Sequence, residues 1–109
     1  MLRISRSPEL LLPKDVAETD VITFDFAESL GEDEVILGAT VDVSVAKGLD
    51  ATPMSIRSGS AQVATPVVLQ QVVGGVRNTE YLLVCAATTD SGRILVVAGL
   101  LPVVSLGQP

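Results

Sequence analysis

Few side chains in this sequence could perform chemistry. Carboxylates cluster within positions 28–34, a single thiol stands at Cys85, and a serine precedes glycine at Ser91-Gly92. The chain contains no histidine. The thiol and the hydroxyl therefore lack the imidazole base that commonly activates such nucleophiles, and a zinc site built from Cys and His ligands is excluded. With only one cysteine, no disulfide can form within the chain, and Cys85 is predicted to be a small buried hydrophobic residue.

The acidic cluster invites a calcium interpretation. Its carboxylates belong to Glu28, Glu32, Asp33 and Glu34. They lack the regular alternation of oxygen ligands along a loop that dedicated calcium sites use. Acid–base catalysis by paired carboxylates would need a cleft and a raised pKa, and the sequence indicates neither. A solvated rim between two strands is the favoured interpretation, and we predict no enzyme activity, no metal site and no cofactor.

Composition limits the class of protein. The 109 residues suit one domain, 48% of them are apolar, and only 3% are aromatic. This leaves more apolar surface than a small monomer easily hides, which favours self-association or docking in a larger assembly. A net charge of −6 with seven scattered basic residues argues against nucleic acid as a partner. Apolar runs are too short to cross a membrane, and no signal peptide is apparent, so synthesis in a cytoplasm is expected.

The elements that would position these residues are strands. Thr79 to Val103 holds two β-favouring runs around Asp90-Ser91-Gly92, which predicts a hairpin. The two faces of the first run are both largely apolar, so one is expected to meet the core and the other a partner. One face carries Tyr81, Leu83, Cys85 and Ala87, and the other carries Leu82, Val84, Ala86 and Thr88.

Upstream, alternation predicts further strands. One covers Asp20 to Phe26, with Ile22, Phe24 and Phe26 inward, and a longer one covers Glu34 to Ala46. The inward residues predicted for the longer strand are Val35, Leu37, Ala39, Val41, Val43 and Val45. A short strand is predicted at Met54 to Arg57, a turn at Ser58-Gly59-Ser60, and another strand within Ala61 to Val73. Pro66 cannot donate a ladder hydrogen bond, so it is expected at an edge or at a strand start.

About seven short strands separated by turns predict an all-β fold, an immunoglobulin-like β-sandwich with an extended N-terminal arm, with a small barrel as the alternative. The expected division is an arm over residues 1–19, the sandwich over 20–104 and a tail over 105–109. Leu10-Leu11-Leu12 would be poorly placed in a free arm. These leucines either form a first edge strand or pack on another protein.

Two groups of residues are singled out by this interpretation. Residues expected to determine the fold are Tyr81, Gly74, Gly75 and Gly92, because a tyrosine after a glycine-rich corner resembles the tyrosine corner of immunoglobulin-like sandwiches. The apolar residues near both ends of the chain are expected to bind partners. They are Leu10, Leu11, Leu12, Leu101, Val103, Val104 and Leu106.

Several segments together resemble a family of small bacteriophage neck proteins with an immunoglobulin-like fold, the fibre-tail adaptors. The resemblance covers about Asp20 to Val103. The segments that carry it are Asp25-Phe26-Ala27, Leu30-Gly31-Glu32-Asp33-Glu34-Val35-Ile36, Gly74-Gly75-Val76, Thr79-Glu80-Tyr81 and Thr88-Thr89-Asp90-Ser91-Gly92-Arg93.

The resemblance implies a non-enzymatic virion protein, made in the host cytoplasm. It implies many copies in a ring at the head-to-tail junction, which connect the tail or an adaptor ring to fibres or a collar. Partners would be copies of itself and other virion proteins. A capsid decoration protein on the head surface is the alternative. A carbohydrate-binding adhesion module is disfavoured because such modules usually present aromatic side chains, which are scarce here.

Overall fold

Two β-sheets pack face to face in the computed structural model, which describes residues 9–106. Within that range a single 3-10 turn, Pro53–Ile56, joins the fourth and fifth strands. The strands are β1 (Glu9–Leu10), β2 (Lys14–Asp15), β3 (Asp20–Asp25), β4 (Ile36–Lys47), β5 (Arg57–Ala64), β6 (Val67–Val72), β7 (Thr79–Thr89) and β8 (Ile94–Val104). The all-β prediction is confirmed, and the architecture is a sandwich.

The larger sheet contains β4, β7 and β8 as antiparallel neighbours, and β1 and β2 both pair with β8 in parallel. The smaller sheet has the order β3-β6-β5 and is antiparallel. Of the two alternatives for the N-terminal leucines, the structure shows the edge strand, formed in two short pieces, β1 and β2, that pair with β8. Residues 1–8 and 107–109 lie outside the described residues, and the division into arm, sandwich and tail stays a prediction. No helix within residues 9–106 is long and apolar enough to span a membrane.

The core lies between the sheets and follows the period of two along each strand. Ile22, Phe24 and Phe26 are all buried, as predicted, and both phenylalanines are at most 2% exposed. On β7 the face that meets the core is the one that carries Tyr81, Leu83, Cys85 and Ala87, all of them buried. Burial of side chains of this size contributes roughly 1.5–3 kcal/mol each, so these two strands supply much of the driving force for folding.

The β7–β8 hairpin is confirmed. Its tip is closed by backbone hydrogen bonds from Thr89 N–H to the Arg93 carbonyl, 2.9 Å, and from Gly92 N–H to the Thr89 carbonyl, 3.0 Å. Gly92 has φ +84°. That is the left-handed region, which glycine enters without a steric cost.

The phase of β4 differs from the prediction at its start. Ile36 is buried, whereas Val35 and Leu37 are 41% and 67% exposed, so the inward placement of those two residues was wrong. The register against β7 shifts between Ile36 and Gly38. A bulge inserts one residue and moves every preceding side chain to the opposite face, which strict alternation cannot anticipate. Beyond the bulge the predicted inward residues are buried or half-buried.

The segment between β4 and β7 also differs. The predicted strand at Met54 to Arg57 is instead the 3-10 turn followed by the first residue of β5. The predicted turn at Ser58-Gly59-Ser60 lies inside β5, where the register shifts and Gly59 has φ +74°. A glycine at a strand irregularity resembles a turn signal in sequence. The real reversal is at Thr65-Pro66, so Ala61 to Val73 is divided between β5 and β6, with Pro66 just before a strand as predicted.

Candidate interaction surface

The larger sheet has an outer face, the side turned away from the smaller sheet, that is apolar across β7 and β8. Three successive cross-strand pairs on this face are Leu82 with Leu100, Val84 with Ala98, and Ala86 with Val96. Such pairs sit about 4.5–5.5 Å apart between Cβ atoms and form a continuous surface. The sequence expectation that both faces of β7 are apolar therefore holds, and nothing within residues 9–106 covers this second face.

The arm widens the outer face by one strand. Leu10 pairs in register with Leu100 and is 68% exposed, and Leu12 beside it is 88% exposed. We define the outer face by ten apolar residues, Leu10, Leu82, Val84, Ala86, Ile94, Val96, Ala98, Leu100, Pro102 and Val104. Exposed aliphatic residues gathered in one patch mark contact sites more often than scattered ones do.

The outer face ends at β4, which is polar on the same side. Thr40, Asp42 and Ser44 are exposed there and pair with residues of β7. The apolar surface is thus three strands wide, across β1, β8 and β7, with a polar margin along its fourth strand. Interfaces commonly combine an apolar centre with a polar rim of this kind.

Main-chain hydrogen bonds and one packed side chain hold the arm against β8. Leu11 N–H donates to the Leu100 carbonyl at 2.8 Å, and Val16 N–H donates to the Val104 carbonyl at 2.9 Å. The side chain of Leu11 lies over Gly99, where an added Cβ would be 3.0 Å from Leu11 Cδ1. Gly99 therefore leaves the space that lets Leu11 turn inward while Leu10 stays on the outer face.

A buried ammonium group ties the arm to the rest of the sandwich. Lys14 is 1% exposed, and its Nζ donates at 2.8 Å to the carbonyls of Gly74 and Asp15. Burial lowers the pKa of Lys14, an effect opposed by the charges of Glu18 and Asp15. Leaving the buried ammonium without acceptors would cost several kcal/mol. The hydrogen bond from Lys14 to the Gly74 carbonyl therefore holds β2 against the glycine corner.

Substitution of Gly99 by valine should detach the arm while sparing the sandwich. Valine suits a strand, but its side chain would occupy the space of Leu11. We expect the amide of Leu11 to lose most of its protection in hydrogen exchange, while β7 amides stay protected. The matched control is Gly38→Ala in β4, because a Cβ there meets nothing within 4 Å. Equal protection of the Leu11 amide in both variants would contradict this account of how the arm is held.

The residues predicted to bind partners occupy different environments. Leu10, Leu12 and Leu106 are exposed, Val104 is half-buried on the outer face, and Leu11 is half-buried over Gly99. Leu101 and Val103 are each 1% exposed and belong to the core. The structure thus brings Leu10 and Val104 into one surface on β1 and β8, with Leu12 beside it. The partner-binding role of the seven residues stays a prediction.

Tyr81 closes the corner beneath this surface. Its hydroxyl accepts a hydrogen bond from Val76 N–H at 2.8 Å and donates one to Asp50 Oδ2 at 2.7 Å. Gly75, with φ +99°, lies so close that an added Cβ would be 3.1 Å from Val103 Cγ2 and 3.5 Å from the Tyr81 ring. A tyrosine hydroxyl bonded to the backbone a few residues upstream is the arrangement called a tyrosine corner.

The corner and the core thiol make the fold sensitive to alkali. Burial raises the pKa of Tyr81 from 10.0 to about 12, and burial raises the pKa of Cys85 from 9.0 to about 11. Both groups bind their proton more tightly in the folded state, so the stability they contribute is complete below their unfolded values. It is lost as pH rises through about 9 to 11 for the thiol and 10 to 12 for the phenol.

This predicts a fall in the free energy of unfolding between pH 9 and 12, measured by urea titration. Cys85→Ala should remove the part of the fall attributed to the thiol, and Tyr81→Phe the part attributed to the phenol. Tyr81→Phe should also be less stable at pH 7 by about 1 kcal/mol through its lost hydrogen bonds. A pH profile that is the same in the wild type and the double variant would refute the assignment.

At the opposite end, Glu34 joins the acidic loop to the hairpin tip. Its carboxylate forms an ion pair with Arg93 and accepts hydrogen bonds from Ser91, from Thr89 Oγ1 at 2.6 Å and from Gly31 N–H at 2.7 Å. Arg93 and then Gly31 hold the pKa of Glu34 far below its usual range. Sequence analysis placed Glu34 in an acidic rim and missed this role. The one available signal was a lone arginine directly after the hairpin tip.

The remaining acidic residues of the loop form no cation site. Among residues 9–106 no group of three or more Cys, Asp or Glu side chains is arranged to hold a metal ion. Ser91 donates to Glu34, and Cys85 is buried with a raised pKa. Of the side chains that could perform chemistry, Glu34, Ser91 and Cys85 therefore have structural contacts.

Two packed sheets place the chain in the class of small β-sandwich domains, and within residues 9–106 nothing covers the apolar outer face. The chain is a member of one family of that class: residues 14–102 match the family described as Podophage GP4 fiber-tail adaptor protein gp77. The predicted resemblance to fibre-tail adaptors is confirmed. The protein is thus a structural component of a bacteriophage virion. Among curated proteins the comparison finds no match.

Proposed function

We propose that this protein is a non-enzymatic neck or collar subunit that connects the tail, or an adaptor ring at the head-to-tail junction, to fibres. The observation that carries the proposal is the outer face, where ten apolar residues on β1, β7 and β8 form one surface. The adaptor family supports contact with other virion proteins. Copies of the chain form a ring, in which the outer face of each copy contacts another virion protein.

The strand arrangement supports an immunoglobulin-like domain in this role. If β3 to β8 are taken as strands B to G, the smaller sheet has the order B-E-D and the larger contains C-F-G, as in constant-type immunoglobulin domains. The arm takes the place of the first strand, but it pairs with the last strand instead of with the second. This switch carries Leu10 to the outer face.

Particles of the phage made without this protein provide the test. Purified protein is added, the particles are separated from free protein, and incorporation is quantified by mass spectrometry together with restored infectivity. We expect uptake that saturates at the copy number of one ring and recovers fibre attachment. Saturation at hundreds of copies would instead indicate decoration of the head surface. No uptake, with particles that attach fibres normally, would overturn the adaptor role.

A further inference from the structure

We infer that the outer face binds a different protein, one that presents an apolar patch flanked at one end by lysine or arginine side chains. This inference deepens the proposed function and rests on it, since it specifies the chemistry of the partner at the same surface. Three features carry it: the extent of the outer face, the location of the chain's negative charge, and the hydrogen bonds that fix the acidic loop beside one end of that face.

The outer face is small for a pair of identical subunits that must hold together without help. It comprises ten residues, whereas stable interfaces engage roughly 20–30 residues on each side and about 800 Å² per partner. The eleven-residue strands β7 and β8, with the two-residue β1 beside them, give a footprint on the order of 400 Å² at about 4.8 Å between strands and about 3.4 Å per residue. Additional attraction from outside the apolar surface is therefore needed.

Charge is concentrated beside one end of this face. The hairpin-tip end of the sandwich, residues 25–34 and 90–93, carries six carboxylates and one guanidinium, a net −5 of the chain's −6. Backbone and side-chain bonds link the two segments, with Val35 N–H donating to Asp90 Oδ1 at 3.1 Å and Arg93 Nη2 donating to the Ser29 carbonyl at 2.8 Å. Glu28 and Glu32 remain exposed on this end.

A second copy of the chain is a poor occupant on electrostatic grounds. Packed in parallel, two copies would bring their tip ends together. Packed antiparallel, each tip end would meet the glycine-corner end, which carries five carboxylates against four basic groups over residues 14–20, 47–57 and 77–80. Both arrangements place negative charge against negative charge. A basic partner gains attraction at the tip end, and such complementarity mainly raises the rate of association and makes it depend on salt.

Uptake of the protein by particles that lack it is again the measurement, now with the double variant Glu28→Lys/Glu32→Lys. Both side chains are exposed, so folding should be unaffected. We expect the rate of uptake at low salt to fall at least tenfold and its salt dependence to flatten. The control, Thr23→Lys/Ser60→Lys/Gln62→Lys/Gln71→Lys, makes the same change in net charge at four exposed positions of the smaller sheet and should retain the wild-type rate within about twofold.

The outcomes separate the inference from the proposed function. If the wild type is taken up and the tip-end variant matches the control, the basic partner is refuted while the adaptor role stands. If even the wild type is not taken up, the proposed function fails first. Light scattering measures whether the isolated protein self-associates. A wild-type dimer that is stable at micromolar concentration and that Leu100→Glu dissociates would show that the outer face binds a second copy. That result would overturn the inference.

Discussion

Replacement of Leu100 by glutamate is expected to abolish incorporation of the protein into virions. Leu100 lies between Leu10 and Leu82 in the register of three adjacent strands, so it occupies the middle of the outer face. A carboxylate enclosed there by a partner would lose its hydration without a matched cation, at a cost of several kcal/mol. We expect apparent affinity for particles that lack the protein to fall at least 100-fold, about 2.7 kcal/mol.

The control for this variant is Val21→Glu on β3 of the smaller sheet. Val21 is 52% exposed on the other side of the sandwich, so it receives the same new charge on a different surface. A second outer-face variant, Leu10→Glu, tests the same surface at a side chain that is 68% exposed and contributes little to the core. Thermal melts should show all three variants folded. Full incorporation of both outer-face variants would rule out this surface as the contact.

A large loss of stability from a single added methyl group is expected for Gly75→Ala. At φ +99° an L-residue is strained, and the new Cβ would lie 3.1 Å from Val103 Cγ2 inside the packed corner. Strain and overpacking each cost about 1–3 kcal/mol, so we expect a loss of about 3 kcal/mol. For a domain of this size the midpoint of thermal unfolding should fall by roughly 15 °C.

The preceding glycine is the matched control. Gly74 has φ +59°, and a Cβ there meets nothing within 4 Å. Gly74→Ala should therefore lower the free energy of unfolding only by the cost of a left-handed backbone at an alanine, about 1 kcal/mol. Equal losses for the two variants would show that the close approach to Val103 and Tyr81 does not matter, and that backbone conformation alone demands glycine at this corner.

The β7–β8 hairpin could be predicted because local chemistry and core burial agree there. Asp90-Ser91-Gly92 specifies the turn, and the period of two in β7 needs no information from elsewhere in the chain. The same period also revealed that β7 has a second apolar face, which no residue between 9 and 106 covers. Much of the candidate surface was therefore accessible from sequence, although its width was not, because the pairing of the arm with β8 is a long-range choice.

The failures have a common cause. At Leu37 and Gly59 the pairing shifts by a residue or more, and such shifts are decided by the partner strand rather than by the residues themselves. Leu101, Val103 and Val104 are all apolar and near the chain end, so residue type alone does not separate their environments. Only the register against β7 distinguishes the two that fill the core from the one on the outer face.

The chain has two lysines, and the burial of Lys14 leaves them chemically unequal. Its ammonium is enclosed and bonded to two carbonyls, whereas Lys47 is exposed at the end of β4, in register with Glu80. Amine-directed acylation of the native fold should therefore derivatise the side chain of Lys47 and spare that of Lys14. A cross-linker or fluorophore attached to Lys47 would lie at the border of the outer face and would report on the proximity of a protein that binds there.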